Sequence, residues 1–350
     1  MRTSEASLSL CLRRLAKIIR MGPLYKMWKT VWNYILLYAL GAWYLLKELI
    51  SSHKKPSGIL NQSGRVAIVT GGGRGIGLET VQQFLELDMT VVIGGRNVPE
   101  LEKAVSKVRG SNKDLGKVIC LDLDLSSLTS VRRFAEAFKA LRLPLHVLVN
   151  NAGVMFWPQE VTEDGFEYHW CVNHLGHFLL THLLWPVLKA SSTPDKPARV
   201  VNLSSSTHYI GSINFEDINS KIYYNAQAAY NQSKLAQVMF TKELDERIRA
   251  AGENIIVNAV HPGVVATELF QHVAWAHYFP WLVRAFLKTP RQGSDTVVHV
   301  ALSQLALDGG HYYENCTKTP PAAAVRKPSD LRHLWEISCQ QCKIVDFGGL

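Results

Sequence analysis

Tyr230 and Lys234 stand four residues apart in AYNQSKLA, inside a stretch from about Ala226 to Ala250 whose pattern predicts a helix. Residues at i and i+4 of a helix share a face. A cation beside a phenol stabilises the phenolate and brings a pKa of ~10 toward a usable range, which makes Tyr230 a candidate general acid/base. Upstream, ARVVNLSS (198–205) reads as a strand whose end presents Ser204, Ser205 and Ser206. A hydroxyl there, Ser205 above all, can donate to a carbonyl or alkoxide oxygen as hydride moves. Asn173, in the predicted helical stretch around NHLG, offers an amide that could hold water for proton exchange. A Y-x-x-x-K pair alone is common on solvated helix faces, so its weight depends on what precedes it.

Four groups with such roles need a rigid frame and a hydride carrier. VAIVT (66–70) reads as a short buried strand, GGGRGIG follows at once, and a helical run begins near Ile76. Strand, glycine turn, helix is the arrangement that binds phosphate, because glycines let the backbone approach the pyrophosphate and the helix start supplies free N–H groups. The spacing is G-x-x-x-G-x-G at Gly71, Gly75 and Gly77, distinct from G-x-G-x-x-G. The next strand, TVVI (90–93), runs into Gly94-Gly95-Arg96-Asn97, with no acid to meet the ribose hydroxyls of NAD. Arg74 and Arg96 instead suit a 2′-phosphate, so NADP(H) is favoured over NAD(H); the plain alternative is that both are solvated loop charges. Further strands are predicted at 117–123 and 145–149, with a helix over 126–141 between them, and the alternation specifies a parallel sheet covered on both faces. Asp124, at the carboxyl end of its strand, is suited to accept from an adenine amino group.

Taken together, Thr70 to Gly77, Asn150-Asn151-Ala152-Gly153, Asn173, Ser205, Tyr230, Lys234 and His261-Pro262-Gly263 resemble the short-chain dehydrogenase/reductase family across roughly residues 64 to 320. The resemblance implies a single-domain, doubly wound Rossmann α/β fold with a seven-stranded parallel sheet. It implies a tetrad of Asn173, Ser205, Tyr230 and Lys234, with Tyr230 and Lys234 also touching the cofactor and Lys234 holding the nicotinamide ribose. It further implies cofactor contacts at Gly71, Gly73, Arg74, Gly75, Ile76, Gly77, Arg96, Asp124, Asn151, Ala152, Gly153, Pro262, Gly263, Val265 and Thr267, the last cradling the pyrophosphate. VNHLGHFLL, NLSSSTH, AYNQSKLA and HPGVV are similar to the retinol dehydrogenase-like branch, where retinoids or, for a member similar through KTPRQGSDTVVHVAL (288–302), polyprenol and dolichal are the substrates. Gly94-Gly95 departs from the Ala-Cys usual in retinol dehydrogenases. Relatives often pair as dimers through their long helices.

The remaining segments set the location. Seven Lys or Arg fall among the first 29 residues against one acid, Glu5, so much of the formal charge of +9 is terminal and reads as membrane-flanking rather than nucleic-acid-binding. TVWNYILLYALGAWYLL (30–46) is uncharged, bracketed by Lys29 and Lys47, and has Trp28, Trp32, Trp43 and Tyr44 near its ends, like an aromatic belt. A membrane anchor within residues 1–50 is expected, either a tight span or a monotopic insertion; a helix buried in the main domain is the alternative. Residues 51–64 read as a linker, 65–320 as the catalytic domain, and 321–350 as a peripheral tail with a short amphipathic helix. The aromatic, apolar run 269–287 is expected to cover a lipophilic substrate. Six scattered cysteines suggest reduced thiols, and neither Cys339-x-x-Cys342 nor the histidines have metal-like spacing, so no metal site is expected. The expectation is an oxidoreductase of a lipophilic alcohol and its carbonyl at the endoplasmic reticulum membrane or a lipid droplet. The readings it competes with are a non-catalytic dinucleotide sensor or scaffold and a steroid reductase.

Overall fold

A computed structural model describes residues 22–110, 115–267 and 287–350. The frame is one sheet of strands β1 (Val66–Thr70), β2 (Thr90–Gly95), β3 (Val118–Asp122), β4 (Val147–Asn150), β5 (Ala198–Leu203), β6 (Ile255–His261), β7 (Tyr312–Glu314) and β8 (Thr317–Thr319). Their order is β3-β2-β1-β4-β5-β6-β7-β8, with all neighbours parallel except β7 and β8. Every residue of β1, β4, β5 and β6 is buried, as their unbroken apolar runs require of strands covered on both faces. Side chains alternate between the faces: Ala67 and Val69 join one apolar layer, Val66 and Ile68 the other.

The expected seven parallel strands are present, and β8 is added to them. Asn315 and Cys316, both at positive φ, form the two-residue turn that reverses the chain into β8. Such a turn needs left-handed backbone at both positions, and Asn-Cys does not advertise it as Asn-Gly would. Helices α2 (Gly75–Glu86), α3 (Val98–Arg109) and α7 (Pro290–Leu302) cover one face; α4 (Leu128–Ala140), α5 (Gly176–Ser191) and α6 (Ala226–Ala250) cover the other. Between β1 and β4 the strand order reverses. A crevice opens at the carboxyl ends of strands at such a point, and ligands bind there.

Two terminal segments differ from expectation. Residues 321–350 are not peripheral: α8 (Pro328–Cys342) and the turn after it bury Leu331, Leu334, Trp335, Cys342 and Phe347 in the layer that holds Phe178 and Phe240. Trp335 lies edge-on to Phe178 at 5.2 Å, Phe347 sits 4.7 Å from Trp335, and the Arg247 guanidinium stacks 4.4 Å over the indole. The apolar positions that looked like one stripe of a surface helix are core. Cys342 donates to the Leu175 carbonyl from inside this layer, and burial pushes the Cys339 thiol up to about 11.

The amino-terminal helix α1 (Pro23–Ile50) contains the run expected to anchor the chain. No helix among the described residues is long and apolar enough to cross a membrane. The physical reason is composition: Asn33 and the tyrosines at 34, 38 and 44 dilute the run, and charges at 29, 47 and 48 bound it. One side of α1 exposes Trp28, Trp32, Ile35, Trp43, Leu46 and Leu49, while Tyr44 is buried. The segment 51–64 straps the helix down: His53 pairs with Asp295 at 2.7 Å, and Asn315 exchanges bonds with the Lys54 N–H and the Ser52 carbonyl.

If α8 is part of the core, Trp335→Ala should cost about 3–5 kcal/mol of stability. Urea unfolding monitored by circular dichroism measures this, and a change below about 1 kcal/mol would return the tail to the periphery.

Candidate active site

The glycine turn after β1 begins at Gly71 (φ +65°) and reaches α2 through Gly75 (φ +53°), a conformation that favours glycine. At Gly77 a Cβ would fall 2.3 Å from the Gly71 carbonyl oxygen, so only glycine lets α2 start directly beneath the turn. Arg74 is the N-cap and offers no side-chain cap, leaving the first N–H groups of the helix for an anion. Thr70 Oγ1 accepts from the N–H groups of Asn151 (2.9 Å) and Ala152 (3.0 Å), and Asn151 Nδ2 donates back to the Thr70 carbonyl at 2.7 Å. The two loops that expose the crevice are thus tied together.

Asp124 accepts from the Ser126 N–H and hydroxyl at 2.9 and 2.7 Å, fixing its carboxylate at the mouth of the crevice. Arg96 donates to the Tyr168 hydroxyl at 3.3 Å, and the Tyr168 ring stacks on Trp157 at 5.0 Å. Arg74 and Arg96 both border the cavity, as do Gly73, Ile76, Gly153, Pro262, Gly263 and Val265. Thr267 packs against Gly75, its Cγ2 3.2 Å from where a Cβ would stand. The run 269–286 expected to cover the substrate lies outside the described residues.

Deeper in, α6 presents Tyr230 and Lys234 on one face, both nearly fully buried. Lys234 Nζ donates to the Leu203 carbonyl at 3.0 Å and lies 5.8 Å from the Tyr230 ring centroid. Ser205 follows β5, and its hydroxyl is near enough to the phenol to hold its pKa down. Asn173 sits in a π-helical turn (Trp170–Leu175) ahead of α5, a wider turn of the kind found at functional sites. Its amide is committed to the protein, Oδ1 accepting from the Val154 N–H at 2.8 Å and Nδ2 donating to the Val154 carbonyl and Ser233 at 3.0 and 2.9 Å. It braces the strand beyond Gly153, where a Cβ would stand 3.1 Å from Asn173 Oδ1 and 3.3 Å from Lys234 Nζ.

The electrostatics also depart from the helix-face argument. Burial raises the Tyr230 phenol to about 12, with Ser205 the group that pulls it down, and burial lowers Lys234 to about 8. Removing both groups from water outweighs their mutual effect across 5.8 Å. The cavity, about 960 Å³, joins the glycine turn to Ser205, Tyr230 and Lys234. It also has a wall that the sequence did not suggest, from Tyr34, Tyr38, Gly41 and Leu45 of α1 and from Phe156 and Trp157. The signal was present as the spacing 34, 38, 41, 45, one helical stripe, but it was indistinguishable from a lipid-facing one.

The short chain dehydrogenase family model matches residues 65–276. The chain belongs to this family. This short-chain dehydrogenase is 41% identical to human polyprenol dehydrogenase over 321 residues, 89% of this chain and 96% of that one. It is 43% identical to human retinol dehydrogenase 12, covering 79% of this chain and 86% of the other. Among solved structures, the Pseudomonas aeruginosa RhlG/NADP active-site complex matches with a TM-score of 0.58 and 26% identity, covering 73% of this chain and 96% of that one. The family makes the enzyme an NAD(P)-dependent oxidoreductase, and its crevice fits a dinucleotide: the Gly77 clash leaves the turn bare for a phosphate, and the Gly153 approach leaves Lys234 open toward the cavity.

A buried amine lowered to about 8 is charged below that pH and neutral above it, whereas a phenol at about 12 stays protonated across the range. The kcat/KM for the dinucleotide, which reports the free enzyme, should therefore fall as the pH rises through about 8. A profile flat to about pH 10 would show that the Lys234 charge does not govern cofactor use.

Proposed function

We propose that this dehydrogenase interconverts a lipophilic alcohol and its aldehyde or ketone, of the polyprenol and dolichal or the retinol and retinal class, using NADP(H). The observation that carries the reading is one cavity lined both by Ser205, Tyr230 and Lys234 and by apolar and aromatic side chains of α1, Phe156 and Trp157. The names of the relatives, polyprenol dehydrogenase and retinol dehydrogenase, support the same substrate class.

The dinucleotide, when bound, supplies or accepts the hydride. The glycine turn from Gly71 to Gly77 and Thr267 hold its phosphates, and Asn151, Ala152, Gly153, Pro262, Gly263 and Val265 shape the channel toward the nicotinamide. Asp124 takes the adenine end, and Arg74 and Arg96 offer guanidinium groups to a 2′-phosphate where an acid would be needed for NAD. In reduction the Tyr230 hydroxyl donates its proton to the substrate oxygen; in oxidation it takes that proton back. A phenol held at about 12 is well prepared to donate and depends on local charge to accept. Lys234 supplies that charge and holds the ribose, and Ser205 donates to the same substrate oxygen. Asn173 acts as a positioning residue through Val154 and Ser233.

Helix α1 is the membrane contact, lying in the interface with Trp28, Trp32 and Trp43 outward, as an amphipathic monotopic helix does. On this reading the enzyme works at the surface of the endoplasmic reticulum or a lipid droplet.

Purified protein should oxidise NADPH faster than NADH with a long isoprenoid aldehyde or retinal, and much more slowly with short aldehydes or steroids. Tyr230→Phe should lower kcat by at least about 100-fold with NADPH affinity retained; turnover near wild type would remove Tyr230 from the chemistry. Full-length protein should float with phosphatidylcholine vesicles, and the triple variant with Ser at Trp28, Trp32 and Trp43 should stay in the dense fraction. Equal flotation of the two would take the membrane contact away from this face.

A further inference from the structure

Helix α1 is attached to the cofactor side of the cavity by charge, and that attachment gives its inner face a use. Tyr44 donates to Glu314 Oε1 at 2.6 Å, Lys47 Nζ reaches Glu314 Oε2 at 2.5 Å, and the Tyr44 ring stands edge-on to His261 at 5.3 Å. One turn on, Glu48 Oε1 accepts from the Val264 N–H at 3.0 Å and pairs with Lys288 at 3.4 Å. Both contacts land beside the Pro262-Gly263 turn, where a Cβ on Gly263 would meet Glu48 Oε1 at 2.5 Å. Near its other end the helix touches Tyr223, through the Thr30 hydroxyl and Lys29 over the ring. Held at both ends, α1 lays an uncharged stripe across the crevice: Tyr34, Leu37, Tyr38, Leu40, Gly41 and Leu45.

Volume decides what that stripe is for. A cavity of about 960 Å³ is at the top of the range for one small ligand, ~300–1,000 Å³, and this one has to accept a dinucleotide as well as the reacting end of a substrate. A long linear chain cannot also coil inside it. The open side runs along α1, from Gly41 in the cavity to Tyr38 and Tyr34, which are 55% and 44% exposed, a path of about 10 Å along the helix axis. Gly41 leaves this path open: among the described residues, nothing lies within 4 Å of where its Cβ would stand.

We infer that the Tyr34–Tyr38–Gly41–Leu45 face of α1 is the tail subsite of the enzyme, guiding a linear isoprenoid chain out of the cavity, with Gly41 setting how bulky and how long a chain passes. This deepens the proposed substrate class and rests on it. The occupant is an extended apolar chain because the stripe offers aromatic and aliphatic surface without charge, and a chain leaving along α1 emerges at the helix's exposed apolar side. A bulky residue at 41 keeps the helix, since Gly is the poorer helix former by up to about 1 kcal/mol, and it occupies the tail path.

The test compares wild type, Gly41→Trp, and Ala39→Trp, which adds the same bulk at an exposed position outside the cavity. The probe is anthraniloyl-tagged farnesol, titrated by fluorescence in the presence of NADPH, alongside turnover of a long isoprenoid aldehyde and a short one. Gly41→Trp should raise the probe's Kd at least about tenfold and lower the long-to-short kcat/KM ratio by a similar factor, with NADPH binding unchanged as the check on folding. Ala39→Trp should match wild type. Equal probe binding by wild type and Gly41→Trp overturns the tail subsite, as does wild type that binds no probe. If wild type binds the probe but turns over no isoprenoid, the proposed reaction fails, while loss of probe binding in Gly41→Trp still upholds the subsite.

Discussion

The junction of β1 with β4 is the constraint on which the rest of the structure depends. Thr70 ends β1, and its hydroxyl accepts the N–H groups of Asn151 and Ala152 while its carbonyl accepts from the Asn151 amide. The same hydroxyl lies 2.9 Å from His177 Nε2, on the helix that follows the π-helical turn carrying Asn173. Those bonds fix the glycine turn against the Asn-Asn-Ala-Gly loop, and the loop in turn fixes the distance from phosphate-binding backbone to Lys234. Behind it, Asn150 donates to Asn202 at 2.8 Å across β4 and β5, and Asn202 donates to Thr241 at 2.9 Å on α6. A buried polar ladder of this kind is tolerated only when its members find partners. Here it sets the register of the very helix that carries Tyr230.

The buried tetrad shows why desolvation rather than pairing dominates its electrostatics. A surface Tyr-Lys pair at helical spacing would behave as the spacing suggests, each charge helping the other. Inside the crevice, water is the larger partner, and losing it drives the phenol up and the amine down. The proton is therefore well held on Tyr230. Lys234, 5.8 Å from the ring, is the nearby cation within the protein.

Much of this was legible in the chain. The unbroken apolar strands, the glycine spacing and the Tyr-Lys interval are local patterns, and local patterns survive folding intact. Helix α6 has the bounds that its periodicity implied, and Ser205, Tyr230 and Lys234 line one cavity. What could not be read was any feature that depends on partners far along the chain. Trp335 looked like the apolar side of a surface helix because Phe178, Phe240 and Phe347, its actual neighbours, are distant in sequence. Tyr44 looked like part of an aromatic belt because nothing near it announces Glu314. The commitment of Asn173 to Val154 and Ser233 was equally invisible, since an amide in a helical stretch carries no mark of which donors it has found.

Glu314 has a consequence for how the molecule can be divided. It is a carboxylate 6% exposed that receives Tyr44, Lys47 and Tyr312; burial alone would raise its pKa, and the neighbouring His261, Lys47 and Tyr44 bring it below the ordinary value. Two of its donors belong to the first fifty residues. Cutting the chain after Ile50, the obvious way to obtain a handier protein, would strip a buried anion of two of its three side-chain donors and unroof the crevice in the same stroke. A shortened enzyme that still reduced small aldehydes would describe a catalyst with a different idea of its substrate. For this chain the amino-terminal helix and the reaction chamber are a single mechanical part.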